Sequence, residues 1–84
     1  MRAVTFSIRE SVTPARRRTL LKEISAWPGI TAGGFVDSTS KNKHVVRMGY
    51  AYIEEGTIAV DIVNRLKQVP EIESASVPPE RRLP

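Results

Sequence analysis

Alternating apolar and polar side chains predict four β-strands along this chain. The first is clearest, because Val4, Phe6 and Ile8 alternate with polar residues, as in a half-buried strand. Three further strands are predicted near residues 30–36, 44–54 and 72–77. The polar connection 37–43 is typical of a link between two antiparallel strands. Pro78-Pro79 ends the last strand, because proline cannot donate to a β-ladder.

Apolar residues at helical spacing predict two helices between these strands. The first helix opens at Thr13-Pro14, a favourable cap followed by proline in the first turn, and stops at Pro28-Gly29. The second opens at Gly56-Thr57 and ends at Pro70. Their apolar stripes are Leu20, Leu21, Ile24 and Trp27 in the first, and Ile58, Ala59, Ile62, Val63 and Leu66 in the second.

The order strand, helix, strand, strand, helix, strand predicts an α+β fold of the ferredoxin-like type. Two βαβ units with right-handed crossovers interleave into a four-stranded antiparallel sheet, with both helices on one face. Residues 1–77 are predicted to form this single domain, and residues 78–84 an extended C-terminal tail.

The third strand carries two aromatic residues that share a face. Tyr50 and Tyr52 point to one side of the sheet, while Ala51 and Ile53 point to the other. Small and β-branched apolar groups suit the side covered by helices, so the tyrosines are expected on the side left open. An exposed aromatic pair indicates a contact surface.

Composition narrows the class of protein. The 84 residues suffice for one small core, contain no cysteine, and carry a formal charge of +4. No apolar run approaches the roughly 20 residues that span a bilayer, and the N-terminus lacks the apolar segment of a secretory signal. These features predict a cytoplasmic protein without a membrane partner, and the positive charge raises the prospect of a nucleic acid or an acidic protein partner.

The residues that catalysis requires are sparse. His44 is the only histidine, and the adjacent Glu54 and Glu55 point in different directions along a strand, so they do not form a paired-carboxylate site. Gly33-Gly34 lacks the spacing and the lysine of a phosphate-binding loop. The sequence therefore predicts a binding module without catalytic residues, metal or cofactor.

The run Gly49-Tyr50-Ala51-Tyr52-Ile53 resembles the central signature of RNA-recognition motifs. In that family the outward aromatic side chains stack on unpaired bases. The resemblance implies single-stranded RNA binding through Tyr50 and Tyr52. Three basic residues, Arg47, Lys41 and Lys43, would assist them.

A second resemblance covers more of the chain, and its partner would be a protein. The chain resembles the propeptides of subtilisin-like serine proteases and the related standalone inhibitors. The matching segments are Ala3–Ile8, Ala15–Arg18, Gly33-Gly34, Gly49–Ala51, Val69–Ile72 and Ala75–Glu80.

This second resemblance implies an inhibitor, a folding chaperone, or both, acting in trans on a subtilisin-like protease. Tyr50 and Tyr52 would contact two surface helices of the protease, and Glu80 would cap helix N–H groups. The residues that would lie in the substrate cleft are Arg81, Arg82, Leu83 and Pro84. A third possibility is an oligomerising or regulatory ferredoxin-like domain whose sheets pair face to face.

Overall fold

The chain folds into one antiparallel sheet covered by two helices, as the computed structural model describes it for residues 2–37 and 39–77. Counted along the chain, the strands lie side by side in the order second, third, first, fourth, so each βαβ crossover skips one strand. This order confirms the predicted α+β fold and is that of a ferredoxin-like arrangement. The elements are β1 (Arg2–Ile8), α1 (Pro14–Ser25), β2 (Ile30–Phe35), a 3-10 turn (Val45–Arg47), β3 (Met48–Ile53), α2 (Ala59–Lys67) and β4 (Ile72–Ser76).

The hydrophobic core lies between the sheet and the helices. Alternation along β1 buries Val4, Phe6 and Ile8, which are the predicted inward residues. Ala51 and Ile53 of β3 are also buried, as predicted. The remaining core residues come from the helices and β4, namely Leu20, Ile24, Ile62, Val63, Leu66, Ile72 and Ala75.

The first helix begins where the sequence indicates, but it ends at Ser25, three residues before the predicted stop at Pro28-Gly29. The hydroxyl of Thr13 accepts a hydrogen bond from the backbone N–H of Arg16, and Pro14 is the first helical residue. After the helix, Gly29 adopts φ +88°, a left-handed conformation that glycine allows without steric cost. Leu21 and Trp27 both pack against the core as predicted, although Trp27 does so from beyond the end of the helix.

The predicted starts of β3 and α2 also differ from the structure. Residues 44–47 do not belong to β3, because the side-chain oxygen of Asn42 accepts hydrogen bonds from the N–H groups of His44 and Val45 at 2.8 and 3.3 Å. This Asx turn leads the backbone into the 3-10 turn, and β3 starts at Met48. Ile58 does not belong to the apolar stripe of α2, because it precedes the helix and is 62% exposed.

Candidate functional site: the open sheet face

One face of the sheet carries no helix among residues 2–37 and 39–77, and β3 places the two tyrosines near its middle. The strand register assigns to this open face the side chains that alternate with the core residues. Its residues are Ala3, Thr5 and Ser7 on β1, Ala32 and Gly34 on β2, Met48, Tyr50 and Tyr52 on β3, and Ser74 and Ser76 on β4. The prediction that Tyr50 and Tyr52 lie opposite the helices is therefore confirmed.

Small residues flank both tyrosines on the neighbouring strands. Tyr52 is paired with Ala3 on β1 and with Ala32 on β2, while Tyr50 is paired with Thr5. The two rings meet edge to face, with centroids 5.2 Å apart and an angle of 60° between their planes. The rings are half-buried, although no helix covers them. Tyr50 and Tyr52 therefore form a low ridge, the tyrosine ridge, with small side chains on either side.

Gly34 allows the ring of Tyr50 to lie across β2. A Cβ atom at this position would lie 2.7 Å from the Tyr50 hydroxyl oxygen and 2.9 Å from the ring carbon that bears it. On the other side of the sheet, the ring of Phe6 occupies the space above Gly49, where a Cβ atom would lie 2.6 Å from Phe6 Cζ. The two glycines admit one aromatic ring each, on opposite faces.

Alanine at these two glycines should have unequal effects on stability. Gly49→Ala should lower the free energy of unfolding by about 1–3 kcal/mol, because the Phe6 ring is enclosed in the core and cannot move freely. Gly34→Ala should cost less than about 1 kcal/mol, because it displaces only the outer end of Tyr50 on an open surface. Urea unfolding of both variants measures the difference, and equal losses would contradict this account.

The open face is electrically neutral as far as the described residues define it. Its strand positions hold only alanine, glycine, serine, threonine, methionine and tyrosine. Charged side chains of the strands are engaged elsewhere: Arg2 donates to the carbonyl oxygen of Thr57 at 2.7 Å, and Glu73 lies 3.2 Å from the guanidinium of Arg47. Such a face can bury aromatic and backbone-rich surface without desolvating a charge.

Arg47 lies inside the fold rather than on a nucleic-acid surface. Only 5% of the residue is exposed. Its guanidinium donates to the carbonyl oxygens of Ile8 at 2.7 Å and Lys43 at 2.8 Å, and it also contacts Glu73 and the ring of His44. These bonds fix the 3-10 turn to the end of β1. The predicted use of Arg47 for nucleic acid is therefore corrected to a structural role.

The other predicted binding residues are not gathered beside the tyrosines. Lys41 and Lys43 are exposed in the connection before β3, and Lys43 lines a hollow with Glu10 and Arg17 beyond the end of β1. The structure thus places Lys43 beside Arg17 of α1. The tail residues Glu80, Arg81, Arg82, Leu83 and Pro84 lie outside the described residues.

Sequence reasoning missed the small residues that shape the face and the ion pairs that hold its edges. The small residues become recognisable once the strand order is known, because each then lies opposite a tyrosine. Arg16 bonds the carboxylate of Glu71 at 2.7 Å, which raises the pKa of Arg16 and fastens α1 to the residue before β4. No local pattern connects residues 55 positions apart.

Comparisons with known proteins assign this chain to no family. No model of a known protein family matches the chain, and no curated protein matches it in sequence. Residues 2–37 and 39–77 contain no group of three or more histidine, aspartate or glutamate side chains placed to hold a metal ion. Neither helix in this part of the chain has the length and apolar character needed to cross a membrane.

Proposed function

We propose that the protein is a non-enzymatic protein-binding module that engages a subtilisin-like serine protease through its open sheet face and its C-terminal tail. The observation that supports this most strongly is the neutral open face with its central tyrosine pair. The ferredoxin-like arrangement also agrees with the resemblance of the sequence to subtilisin propeptides. Acting in trans, such a module inhibits the protease, assists its folding, or both, because binding only the native state stabilises it.

The chemistry of the open face suits a protein partner. Tyrosine rings offer large, rigid contact area with little loss of conformational entropy, and the surrounding small residues allow helices of a partner to approach closely. The neighbouring serine and threonine hydroxyls can bond polar groups at the rim of a contact. These are features of the desolvated centre of a protein interface.

The same face suits single-stranded RNA less well. Nucleic acids are held largely through their phosphates, which require basic side chains beside the stacking rings. Here Arg47 is buried and Lys43 lies near Arg17, beyond the end of β1. RNA binding and face-to-face dimerisation remain alternative outcomes of the experiments below.

The end of β4 lies close to the tyrosine ridge. Ser76, the last residue of β4, is paired with Thr5, and Thr5 is paired on its other side with Tyr50. Two strand spacings, about 10 Å, therefore separate Ser76 from Tyr50. One partner can contact the ridge and the residues that follow β4, with Glu80 capping a helix and residues 81–84 in the cleft.

An inhibition assay tests this proposal. The full chain should inhibit at least one member of a panel of subtilisin-like proteases, and a chain ending at Glu80 should inhibit it at least about tenfold less, because it lacks the residues proposed for the cleft. Equal inhibition by both chains would reject cleft insertion. Failure to inhibit any protease of the panel would reject inhibition, and failure to accelerate refolding of any of them would then reject the chaperone role too.

Two further measurements distinguish the alternatives. Titration with mixed single-stranded RNA at low salt should give no saturable binding. Salt-sensitive binding that is lost in Tyr50→Ala would instead favour RNA binding as the function. The mass of the protein in solution should be that of one chain. A dimer that dissociates when Tyr52 is replaced by serine would instead assign the open face to self-association.

A further inference from the structure

A basic groove with an apolar floor lies away from the open face, beside α1. Two adjoining hollows of about 230 and 180 Å³ form it, and both are lined by Arg17 and Val46. Phe35 and Pro14 complete the apolar part of the larger hollow. Arg18 lines the same hollow, and Lys43 and Arg47 line the smaller one, so four cations border an apolar surface.

Three of these four cations form no ion pair within the described part of the chain. Among residues 2–37 and 39–77, ion pairs form at Arg16 and Arg47 but not at Arg17, Arg18 or Lys43. Glu10 is the one acidic residue that lines either hollow. The groove therefore keeps an excess of positive charge.

The placement of these arginines is unfavourable for the helix itself. Arg17 and Arg18 follow directly on the first turn of α1, which contains no acidic residue. Cations near a helix N-terminus oppose the helix dipole. The charge of Arg16 is compensated by Glu71 and Glu23, whereas Arg17 and Arg18 have no such partner among the described residues. A local cost of this kind is expected where a surface serves binding.

The positive charge of the groove and the direction of β4 indicate which of three possible partners can bind in the groove. The chain's own tail is a poor match, because β4 ends at Ser76 opposite Thr5 and so runs away from the groove, which lies beyond Ile8. Residues 78–84 also contain two arginines against one glutamate. A second copy of the chain carries the same +4 charge and is repelled. An acidic partner is attracted by the whole molecule and by the groove.

We propose that this groove binds an acidic peptide segment with interspersed apolar side chains on a partner protein. Carboxylates of the segment pair with Arg17, Arg18 and Lys43, and its apolar side chains cover Phe35 and Val46. Arginine suits this role because its planar guanidinium can bind a carboxylate through two hydrogen bonds. The groove is independent of the tyrosine ridge, so the chain has two separate contact surfaces.

The test uses a short fluorescein-labelled peptide of alternating glutamate and leucine, titrated against the full chain by fluorescence anisotropy. The double variant Arg17→Gln, Lys43→Gln should bind it about tenfold more weakly. A matched control, Lys22→Gln with Lys67→Gln, removes the same charge from exposed helical positions elsewhere and should change the affinity less than about twofold. Higher salt should weaken binding by the unmodified chain.

The peptide controls define the chemistry of the site. A peptide with glutamine in place of glutamate should not bind, and one with serine in place of leucine should bind clearly more weakly. Tyr50→Ser with Tyr52→Ser should bind the acidic peptide normally, which separates this proposal from the proposed function. Equal loss in both charge variants, displacement of the peptide by RNA at lower concentration than by unlabelled peptide, or a salt-sensitive dimer that uses the groove would each overturn it.

Discussion

Arg47→Ala should lower the free energy of unfolding by about 3 kcal/mol, enough to leave a domain of this size only marginally folded. The loss arises because the carbonyl oxygen of Ile8, bonded by the guanidinium at 2.7 Å, would lie at a buried position without its donor. The aliphatic part of the side chain also packs inside the fold, and alanine would leave a void there. Urea unfolding followed by circular dichroism measures the change.

Two matched variants identify which contact of Arg47 matters. Glu73→Gln should cost less than about 1 kcal/mol, because the Glu73 side chain is 50% exposed and water can replace the ion pair. Arg47→Lys keeps the charge but loses the fork of donors, so its stability should fall between those of the original protein and Arg47→Ala. A loss below about 1 kcal/mol in Arg47→Ala, or a larger loss in Glu73→Gln, would refute the structural role.

If the proposed function is correct, replacing both tyrosines with serine should weaken inhibition of the partner protease by at least about a hundredfold. Each ring is expected to act as an aromatic anchor worth about 2 kcal/mol or more, and about 1.4 kcal/mol corresponds to a tenfold change in affinity. The readout is the inhibition constant. Thermal unfolding of the same variant checks that the fold persists, because the removed rings lie outside the core cluster.

The controls for this prediction separate the open face from general surface hydrophobicity. Val60→Ser removes a side chain that is 58% exposed on α2, in the layer opposite the tyrosines, and should leave inhibition unchanged. Tyr50→Phe keeps the ring and should retain most of the inhibition. Equal weakening by Val60→Ser and by the double tyrosine variant would show that the ridge has no special part in binding.

The fold could be predicted from the sequence because its inward residues follow simple periods. Val4, Phe6 and Ile8 repeat every second residue, while Leu20 and Ile24 repeat at the spacing of one helical turn. The faces of Tyr50 and Tyr52 followed from the same alternation once Ala51 and Ile53 were assigned to the core. These features depend on near neighbours in the chain, which the sequence displays directly.

The features that sequence reasoning missed depend on distant neighbours or on local hydrogen bonds. Arg47 looked like a basic residue beside an aromatic motif, and only the approach of Ile8 and the turn after Asn42 shows that it is enclosed. Gly34 leaves room for the ring of Tyr50 on the adjacent strand, and only the pairing of β2 with β3 shows this. The open face could thus be located from the sequence, but the small residues beside its tyrosines could not.

The most direct test of the open face as a free contact surface is hydroxyl-radical footprinting of Tyr50 and Tyr52. In the free protein both rings should be modified at similar rates in the full chain and in a chain ending at Val77. In the full chain, both should become protected when the protease proposed as partner is added in a form whose catalytic serine is replaced by alanine, which leaves the cleft open. Protection in the free full chain that disappears in the shortened chain would contradict the account, because the protein's own tail would then cover the surface.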